Sequence, residues 1–244
     1  MYELSEEFVR VLKKAAHVAV LTGAGISAES GVPTFRGKDG LWKKFRAEEL
    51  ATVDAFMDNP TLVWEWYLHR RELMNDVTPN PGHYCLVEME RHFSDFTLIT
   101  QNVDGLHYRA GSRKVLELHG NISRNKCFSC NRPFDGPISL ETGQLPRCDC
   151  GGKIRPDVVW FGEMLPEAAL NGAFDASCRA ELFFSIGTSA LVHPAASMPL
   201  VAKRNGAFLV EINLEPTPLT EYCDFSLHGP SGEILPVILD ILKK

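Results

Sequence analysis

Four cysteines lie close together in the middle of the chain, as a Cys-x-x-Cys pair and a tighter Cys-x-Cys pair: Cys127, Cys130, Cys148 and Cys150. Four thiolates are the ligand set of a closed tetrahedral zinc site, in which the metal is structural rather than catalytic. A redox pair at the first two positions is the alternative, but it leaves the second pair unexplained. The spacing therefore predicts a zinc-stapled segment over residues 123–157 that depends on the metal for its stability.

A glycine-rich segment, Gly-Ala-Gly-Ile-Ser-Ala at residues 23–28, follows the apolar run 18–21. It fits the G-x-G-x-x-G/A fingerprint of dinucleotide-binding proteins, in which the pyrophosphate lies at a helix N-terminus. Glycines that only form a tight strand-to-helix turn explain so short a match equally well. The acidic ribose ligand expected about twenty residues later is missing, so the segment predicts at most a variant dinucleotide site.

Polar side chains follow the other short apolar runs of the chain. Gln101, Asn102 and Asp104 come after the run 96–100, and His119 follows the next run. Two later runs, 182–186 and 208–212, are followed by Gly187, Thr188 and Ser189 and by Asn213, Leu214 and Glu215. The carboxyl ends of buried parallel strands are where open α/β sheets bind ligands. An imidazole titrates near neutral pH and can act as a general base, although on this observation alone a packed or capping histidine is the simpler explanation.

The elements that position these groups alternate along the chain. Helical patterns are predicted over residues 5–16, 61–74, 81–92, 195–205 and 232–243, and the short apolar runs are predicted to be strands. Ser5 supplies an N-cap, and Pro81 lies in a first helical turn. Residues 37–59 predict a loop with short helices that covers the glycine-rich segment. The alternation is typical of an α/β fold with a doubly wound parallel sheet.

Composition narrows the classes of function. The 244 residues carry a net charge of -6 and an isoelectric point near 5.8, which argues against nucleic acid as the main partner and favours a small molecule or a peptide. The first residues, MYELSEEF, lack the features of a targeting signal, and no run has the length needed to span a bilayer. We therefore expect a cytoplasmic protein with no membrane partner. The sequence assigns no role to Cys85, Cys178 and Cys223.

Several segments together resemble one known family. The segments GAGIS, PTFRG, TQNVDGLH, LHGN, the paired cysteines, RPDVVWFGE, GTS and NLEPTP occur in the order found in the sirtuin family of NAD-dependent protein lysine deacylases, and they cover nearly the whole chain. The resemblance implies a Rossmann-like large domain from residues 1–36, 75–122 and 158–244, and a small domain made of a helical module (37–74) and a zinc module (123–157). It also implies a cleft between the domains for NAD and an acyl-lysine peptide. We expect a monomer.

The resemblance assigns most of the polar groups to NAD. The phosphates would be bound by Gly23, Ala24, Gly25, Ser27 and Arg36, while Phe35 would shield the nicotinamide ribose. The remaining contacts, to nicotinamide, ribose and adenosine, would come from Gln101, Asn102, Asp104, Gly187, Thr188, Ser189, Asn213, Leu214, Glu215 and the backbone of Ser231. This accounts for the missing early acid, because ribose recognition moves to a later strand end.

The resemblance also assigns the chemistry. Loss of nicotinamide makes the ribose C1′ electrophilic, the acyl oxygen attacks it, and a base must then activate a ribose hydroxyl. His119 is the implied base, with Asn102 and Asp104 as catalytic neighbours, and this context outweighs the packing explanation. The substrate backbone would pair with the segment 158–163 by β-augmentation, so that sequence selectivity is loose. The residues implied are Val159, Trp160, Phe161, Gly162 and Glu163, with ordinary packing as the alternative for the two aromatic ones.

Tyr67 and Arg70 lie three residues apart in a predicted helix and therefore share one face. The planar guanidinium matches a carboxylate in bidentate fashion, and the phenol can add a donor. The Tyr-x-x-Arg spacing resembles the sirtuins that remove succinyl, malonyl and glutaryl groups, and Ala51 matches them in leaving the pocket wide. The alternative is an exposed Arg70 that pairs with a glutamate of its own helix or stacks on Trp66.

Two other activities fit the same residues. The intact His119, Asn102 and Asp104 argue against a non-catalytic module that binds NAD or ADP-ribose. Mono-ADP-ribosyltransfer to protein is the main competitor among enzymes. The sequence therefore predicts NAD-dependent removal of acyl groups from lysine side chains, with a preference for acidic acyl groups.

Overall fold

The computed structural model describes residues 2–33, 50–140 and 145–244. The strands in these residues are β1 (His17–Thr22), β2 (Asp95–Thr100), β3 (Val115–Glu117), β4 (Gly120–Cys127), β5 (Ile154–Val158), β6 (Leu182–Ile186), β7 (Phe208–Asn213) and β8 (Phe225–His228). The α-helices there are α1 (Glu6–Lys14), α2 (Ala24–Ala28), α3 (Val53–Asp58), α4 (Pro60–Asn75), α5 (Pro81–His92), α6 (Leu106–Ala110), α7 (Glu167–Arg179), α8 (Met198–Arg204) and α9 (Ser231–Leu242).

Six of the described strands form one parallel sheet in the order β3-β2-β1-β6-β7-β8. Strand β1 lies near the centre, with Val20 opposite Leu98 of β2 on one side and opposite Phe184 of β6 on the other. The strand order reverses between β1 and β6, which makes their carboxyl ends a topological switch point, the usual ligand site of such sheets. This arrangement confirms the predicted Rossmann-like, doubly wound sheet.

Helices cover both faces of the sheet, which explains why its central strands are mostly apolar. Every residue of β6 is buried, and in β1 only His17 is exposed. Alternate residues of the strands point into two cores. One core contains Phe8 of α1 and Ile238 of α9, and the other contains Ala173 of α7 and Met198 of α8.

The five predicted helices are present, and their predicted starts have the expected chemistry. The Ser5 side chain accepts the N–H of Phe8 over 3.1 Å and so caps α1. Helix α5 begins at Pro81, after the N-cap Asn80, whose side chain accepts the N–H of Gly82 over 2.9 Å. These side chains satisfy N–H groups that a helix start leaves without an intrahelical partner.

Besides the short helix α6, three parts of the fold are not predicted by the sequence patterns. Strand β8 is a short edge strand whose Phe225 is only half-buried, so its apolar signal is weak. Helix α7 carries Asn171 and Gly172 in its middle, and both residues weaken a helical pattern. The antiparallel ribbon of β4 and β5 is the third. Of the predicted covering loop, residues 37–49 lie outside the described residues, and the described part contains α3.

The β4–β5 ribbon packs with α3 and α4 around a core of its own, which contains Phe56, Trp64, Ile154 and Trp160. The indole N–H of Trp64 donates to the Ile154 carbonyl over 3.0 Å and ties α4 to the ribbon. A separate core agrees with a small unit beside the sheet, while the exact domain boundaries stay a prediction. Over the described ranges, no helix has the length and apolar character needed to cross a membrane.

Candidate functional site

A cleft of about 470 Å³ lies at the carboxyl ends of the central strands. Its other walls are formed by α4 and the segment 158–163. Most of the predicted site residues line it: Gly23, Ala24, Gly25, Ala51, Tyr67, Arg70, Gln101, Asn102, His119, Val159, Trp160, Phe161, Gly162, Glu163, Gly187, Thr188, Ser189, Asn213 and Leu214. Ser27 and Asp104 line a smaller pocket of about 30 Å³, which shares Asn102 and Arg70 with the cleft. The polar strand ends therefore converge on one site.

Four predicted site residues fall elsewhere. Phe35 and Arg36 lie outside the described residues. Glu215 is exposed and Ser231 is buried. In the described part of the chain, neither residue lines the cleft. The Ser231 hydroxyl donates to the Glu29 carboxylate over 2.9 Å, so a contact from Ser231 to a cofactor would have to use its backbone, as the resemblance implies.

Gly23 and Gly25 are glycines because the end of β6 packs against them. The N–H of Gly25 donates to the Gly187 carbonyl over 2.7 Å, and a Cβ on Gly25 would lie 2.6 Å from the Gly187 Cα. Gly187 itself has a φ of +63°, which residues with a side chain rarely adopt. Glycine is therefore needed at 23 and 25 because of close packing against the end of β6, rather than only because of a tight turn. The same packing brings the loops after β1 and β6 together at the switch point.

His119 follows β3 and is fixed through both its ring and its backbone. Its Nδ1 lies 2.9 Å from the Gln101 carbonyl oxygen, which can only accept, so Nδ1 carries the proton and Nε2 is left as an acceptor. Its own carbonyl accepts the N–H of Val159 over 2.9 Å. Burial lowers the pKa of His119, although the bond to Gln101 opposes that shift. The imidazole is thus neutral at pH 7, in the protonation state that a general base needs.

Asn102, Ser27 and Asp104 form a buried hydrogen-bonded chain beside the cleft. The Asn102 side-chain amide donates to the Gly23 carbonyl over 2.9 Å and to the Ser27 hydroxyl over 3.1 Å. That hydroxyl donates to Asp104 over 2.8 Å, and the second Asp104 oxygen accepts the N–H of Leu106 over 2.9 Å. Burial raises the pKa of Asp104, and these two donors oppose the shift. The contacts hold both polar side chains in one orientation.

Two buried histidines behind this chain are not predicted by the sequence. His83 Nδ1 accepts the N–H of Asn80 over 3.3 Å, and its Nε2 lies 3.5 Å from the Ser27 hydroxyl. His107 Nε2 lies 2.9 Å from the Thr22 hydroxyl, and the two imidazole rings are 4.9 Å apart. The contact with Asn80 is local, but Ser27 and Thr22 lie far from these histidines in the sequence, so no local pattern could reveal the contacts with the two hydroxyls.

The buried histidines make the fold sensitive to acid. Burial lowers the pKa of His83 to about 4 and that of His107 to about 3, from an ordinary value of 6.5. Below pH 6.5 the unfolded chain binds protons that the folded chain does not, so stability is complete above pH 6.5 and falls as the pH drops towards 4. We expect His83 to account for a loss of about 3 kcal/mol over that interval, measured by urea unfolding at each pH.

The substitution His83→Gln removes this titration and should make the fall in unfolding free energy shallower, whatever it costs at pH 7. His69→Gln replaces an exposed histidine of α4 and should leave the pH dependence unchanged. Parallel curves for the wild type and His83→Gln would show that His83 has the same pKa in the folded and unfolded states.

The four cysteines meet in space. All four Sγ atoms lie within 4.8 Å of one another, and three of the separations are 3.5, 3.5 and 3.8 Å. A tetrahedron with zinc–sulfur bonds of about 2.3 Å has edges of about 3.8 Å, so this donor set fits one zinc ion. Arg132 nitrogens lie 3.5 Å from the Sγ atoms of Cys130 and Cys148, where they offset thiolate charge. The cluster is consistent with the predicted structural zinc.

The segment 158–163 is held in place by its own backbone. The N–H groups of residues 159–161 all donate to acceptors within the protein, over 2.8–2.9 Å. A peptide that pairs with this segment must therefore use other backbone groups. The Glu163 carboxylate binds the buried guanidinium of Arg155 in β5. The sequence does not predict this role, because an arginine carries no local signal of burial.

The predicted acyl end of the cleft has Tyr67 and Arg70 on one wall, as their helical spacing predicts. Tyr67 is 2% exposed, and its hydroxyl accepts the indole N–H of Trp160 over 2.9 Å. Arg70 is half-buried, and its Cζ lies 4.7 Å from the centroid of the Trp66 ring and 5.7 Å from that of Tyr67. Arg70 therefore does stack on Trp66, as the alternative predicts. It does so while lining the cleft, and not on an exposed surface of the helix.

Comparisons with known proteins agree with this geometry. The profile of the Sir2 family matches residues 23–194. An NAD-dependent protein deacylase of Aquifex aeolicus (strain VF5) is 52% identical over 230 residues, which cover 93% of this chain and 96% of the relative. A solved complex of a Sir2 homologue with NAD has a TM-score of 0.91 at 46% identity, covering 99% of this chain and 94% of the other. A solved complex of Sir2 with a p53 peptide and NAD+ has a TM-score of 0.87 at 34% identity, covering 98% of both chains.

Proposed function

Because the chain belongs to the Sir2 family, we propose that it is an NAD-dependent protein lysine deacylase that yields nicotinamide, acyl-ADP-ribose and free lysine. The observation that carries the proposal is the convergence of His119 and Asn102 in one cleft, with Asp104 in the adjoining pocket. The named relatives, an NAD-dependent protein deacylase and a Sir2 homologue in complex with NAD, support it. The net charge of -6 favours a peptide over a nucleic acid as substrate. We propose a monomer.

The site residues of this chain have separate roles in the proposed reaction. When bound, NAD supplies an electrophilic ribose carbon once nicotinamide leaves. His119 accepts a proton from a ribose hydroxyl at Nε2, because its Nδ1 proton is committed to the Gln101 carbonyl. The oriented amide of Asn102 and the carboxyl group of Asp104 position the nicotinamide ribose. Phe35 and Arg36 would complete the NAD site from outside the described residues.

The products distinguish deacylation from ADP-ribosyltransfer to protein. Deacylation should give one acyl-ADP-ribose per lysine released, with no mass added to the protein. Transfer would leave an ADP-ribose mass on the acceptor protein and the acyl group on its lysine. Mass spectrometry of peptide and nucleotide products after incubation with NAD decides between them, and an ADP-ribosylated acceptor with intact acyl-lysine would overturn the proposal.

The acyl group that this site suits best is an acidic one. Tyr67 and Arg70 bring a phenol and a guanidinium to one wall of the cleft, and Ala51 keeps that end wide. A methyl-ended acyl group beside a half-buried guanidinium gains nothing from the charge, whereas a terminal carboxylate can form a charge-assisted pair with it. We therefore expect kcat/KM to be higher for succinyl-lysine than for acetyl-lysine.

The substitution Arg70→Met should reverse this order. It should lower kcat/KM for succinyl-lysine about 10- to 150-fold, which corresponds to the roughly 1.5–3 kcal/mol expected for a hydrogen bond to a charged group. It should leave kcat/KM for acetyl-lysine unchanged. The measurement is steady-state kinetics on one peptide that carries either acyl group.

Arg71→Met is the matched control. Arg71 is the next residue of the same helix, but its guanidinium donates to the Ile122 carbonyl and to Asn125 rather than lining the cleft. It should leave the acyl preference unchanged. A wild type that prefers acetyl-lysine, or an equal loss on both substrates in Arg70→Met, would show that Tyr67 and Arg70 do not select the acyl group.

A further inference from the structure

The hydrogen bond between Trp160 and Tyr67 has only one possible direction. An indole N–H can donate but not accept, so over the 2.9 Å between Trp160 Nε1 and the Tyr67 oxygen the phenol is the acceptor. Both side chains are 2% exposed, which removes bulk water as a competing donor. Within the described residues this is the hydroxyl's one hydrogen bond. Among these residues the phenol proton has no acceptor, and it faces the cleft that Tyr67 lines, where a ligand can accept it.

The indole is held so that it cannot turn away. The Arg155 Cζ lies 3.3 Å from the centroid of the Trp160 ring, and the Phe56 ring packs 5.1 Å away. The Trp160 backbone N–H donates to the Glu163 carboxylate over 2.8 Å, and Arg155 donates to the same carboxylate. The Arg155–Glu163 ion pair thus contacts both the ring and the backbone of Trp160.

We infer that Trp160 is a specificity-determining residue: its N–H occupies the Tyr67 oxygen and directs the phenol proton towards the acyl end of the cleft. The site thereby selects acyl groups that end in a hydrogen-bond acceptor. A phenol without this donor could rotate and serve equally as donor or acceptor. With it, the Tyr67 oxygen is engaged, and a carboxylate is the partner that its proton fits. This inference rests on the proposed function, because it takes an acyl-lysine to be the occupant of the cleft.

The electrostatics of Tyr67 agree with this role. Burial raises the pKa of Tyr67, so the phenol keeps its proton at neutral pH although Arg70 and Trp160 act in the opposite direction. The neighbouring Arg70 guanidinium adds a positive charge to the same wall of the cleft. A terminal carboxylate placed there would meet a donor and a charge of the right sign.

The test is equilibrium binding, measured by fluorescence anisotropy with labelled peptides that carry succinyl-lysine or butyryl-lysine. The two acyl chains have the same length, and only the first ends in an acceptor. Trp160→Phe keeps a ring but removes the N–H, and it should lower the succinyl preference, the ratio of the two dissociation constants, by about fivefold. Tyr67→Phe should lower it at least as much, and the double variant no further than Tyr67→Phe alone, because the indole acts through the hydroxyl.

Trp64→Phe is the matched control. It removes an indole N–H bond to the Ile154 carbonyl in the same core, away from the cleft, and it should lower thermal stability without changing the succinyl preference. If Trp160→Phe does not fold, replacement of the Trp160 indole by the isosteric benzothiophene, which lacks the N–H, repeats the test.

An unchanged ratio in the Trp160 variant, additive effects in the double variant, or no binding of either peptide would overturn the inference. Nicotinamide release is measured separately and tests the proposed function. If the binding ratios change as expected but no NAD-dependent deacylation occurs, the proposed function is refuted and the inference about acyl selectivity stands. Deacylation with an unchanged ratio would refute the inference alone.

Discussion

His119→Ala should bind NAD nearly as well as the wild type and yet turn over substrate roughly a hundred- to ten-thousandfold more slowly, the usual contribution of a general base. The reason is the geometry of the ring. Its Nδ1 is tied to the Gln101 carbonyl, and only Nε2 can take a proton from a substrate group. Docking of the cofactor precedes the step that needs this base, so affinity should be kept while kcat falls. Isothermal titration with NAD and steady-state kinetics measure the two quantities.

The pH profile gives a second test of the same role. Burial lowers the pKa of His119 from its ordinary value of 6.5, so the base is already neutral at pH 7 and the acid-side midpoint of the activity profile should lie below pH 6.5. His69→Ala controls for the loss of a histidine, since His69 is exposed on α4. Near-normal turnover in His119→Ala would reduce His119 to a residue that positions the ribose.

Loss of zinc should unfold the small unit around the β4–β5 ribbon and abolish activity indirectly. Structural zinc sites contribute about 10–16 kcal/mol of apparent binding energy to folding. The cluster also joins two distant stretches of chain, at Cys127–Cys130 and Cys148–Cys150. Cys148→Ala should therefore lose zinc and lower the melting temperature together. Metal analysis and calorimetry of the same preparation measure both.

Cys178→Ala provides the control for this substitution. Cys178 is an exposed cysteine of α7, outside the cluster, and its replacement should change neither zinc content nor melting temperature. Stoichiometric zinc together with normal stability in Cys148→Ala would show that the Cys-x-Cys pair does not supply ligands.

Local sequence patterns predicted the elements whose signal is local. The strands β1 and β6 are buried on both faces, so their sequences are mostly apolar and are predicted as strands. Strand β8 was missed because an edge strand is only half-buried. The glycine fingerprint located the loop at Gly25 but not the reason for it, since Gly187 lies far away in the sequence and meets it only in the folded sheet.

Local patterns also predict only part of the candidate site, because some of its contacts join residues far apart in the sequence. Helical spacing placed Tyr67 and Arg70 on one face, because residues three apart are neighbours on any helix. It could not show that Tyr67 meets Trp160, which is 93 positions away. The buried His83 gave no signal either, because a single histidine in a helix resembles a surface residue until its tertiary neighbours are known.

The central claim is tested most directly by nicotinamide release from NAD, measured with the purified protein and three versions of one peptide: succinyl-lysine, acetyl-lysine and unmodified lysine. We expect one nicotinamide to be released per acyl group removed, fastest with succinyl-lysine, and none above background with unmodified lysine. Release that does not depend on the acyl group, or no release with either acylated peptide, would contradict it.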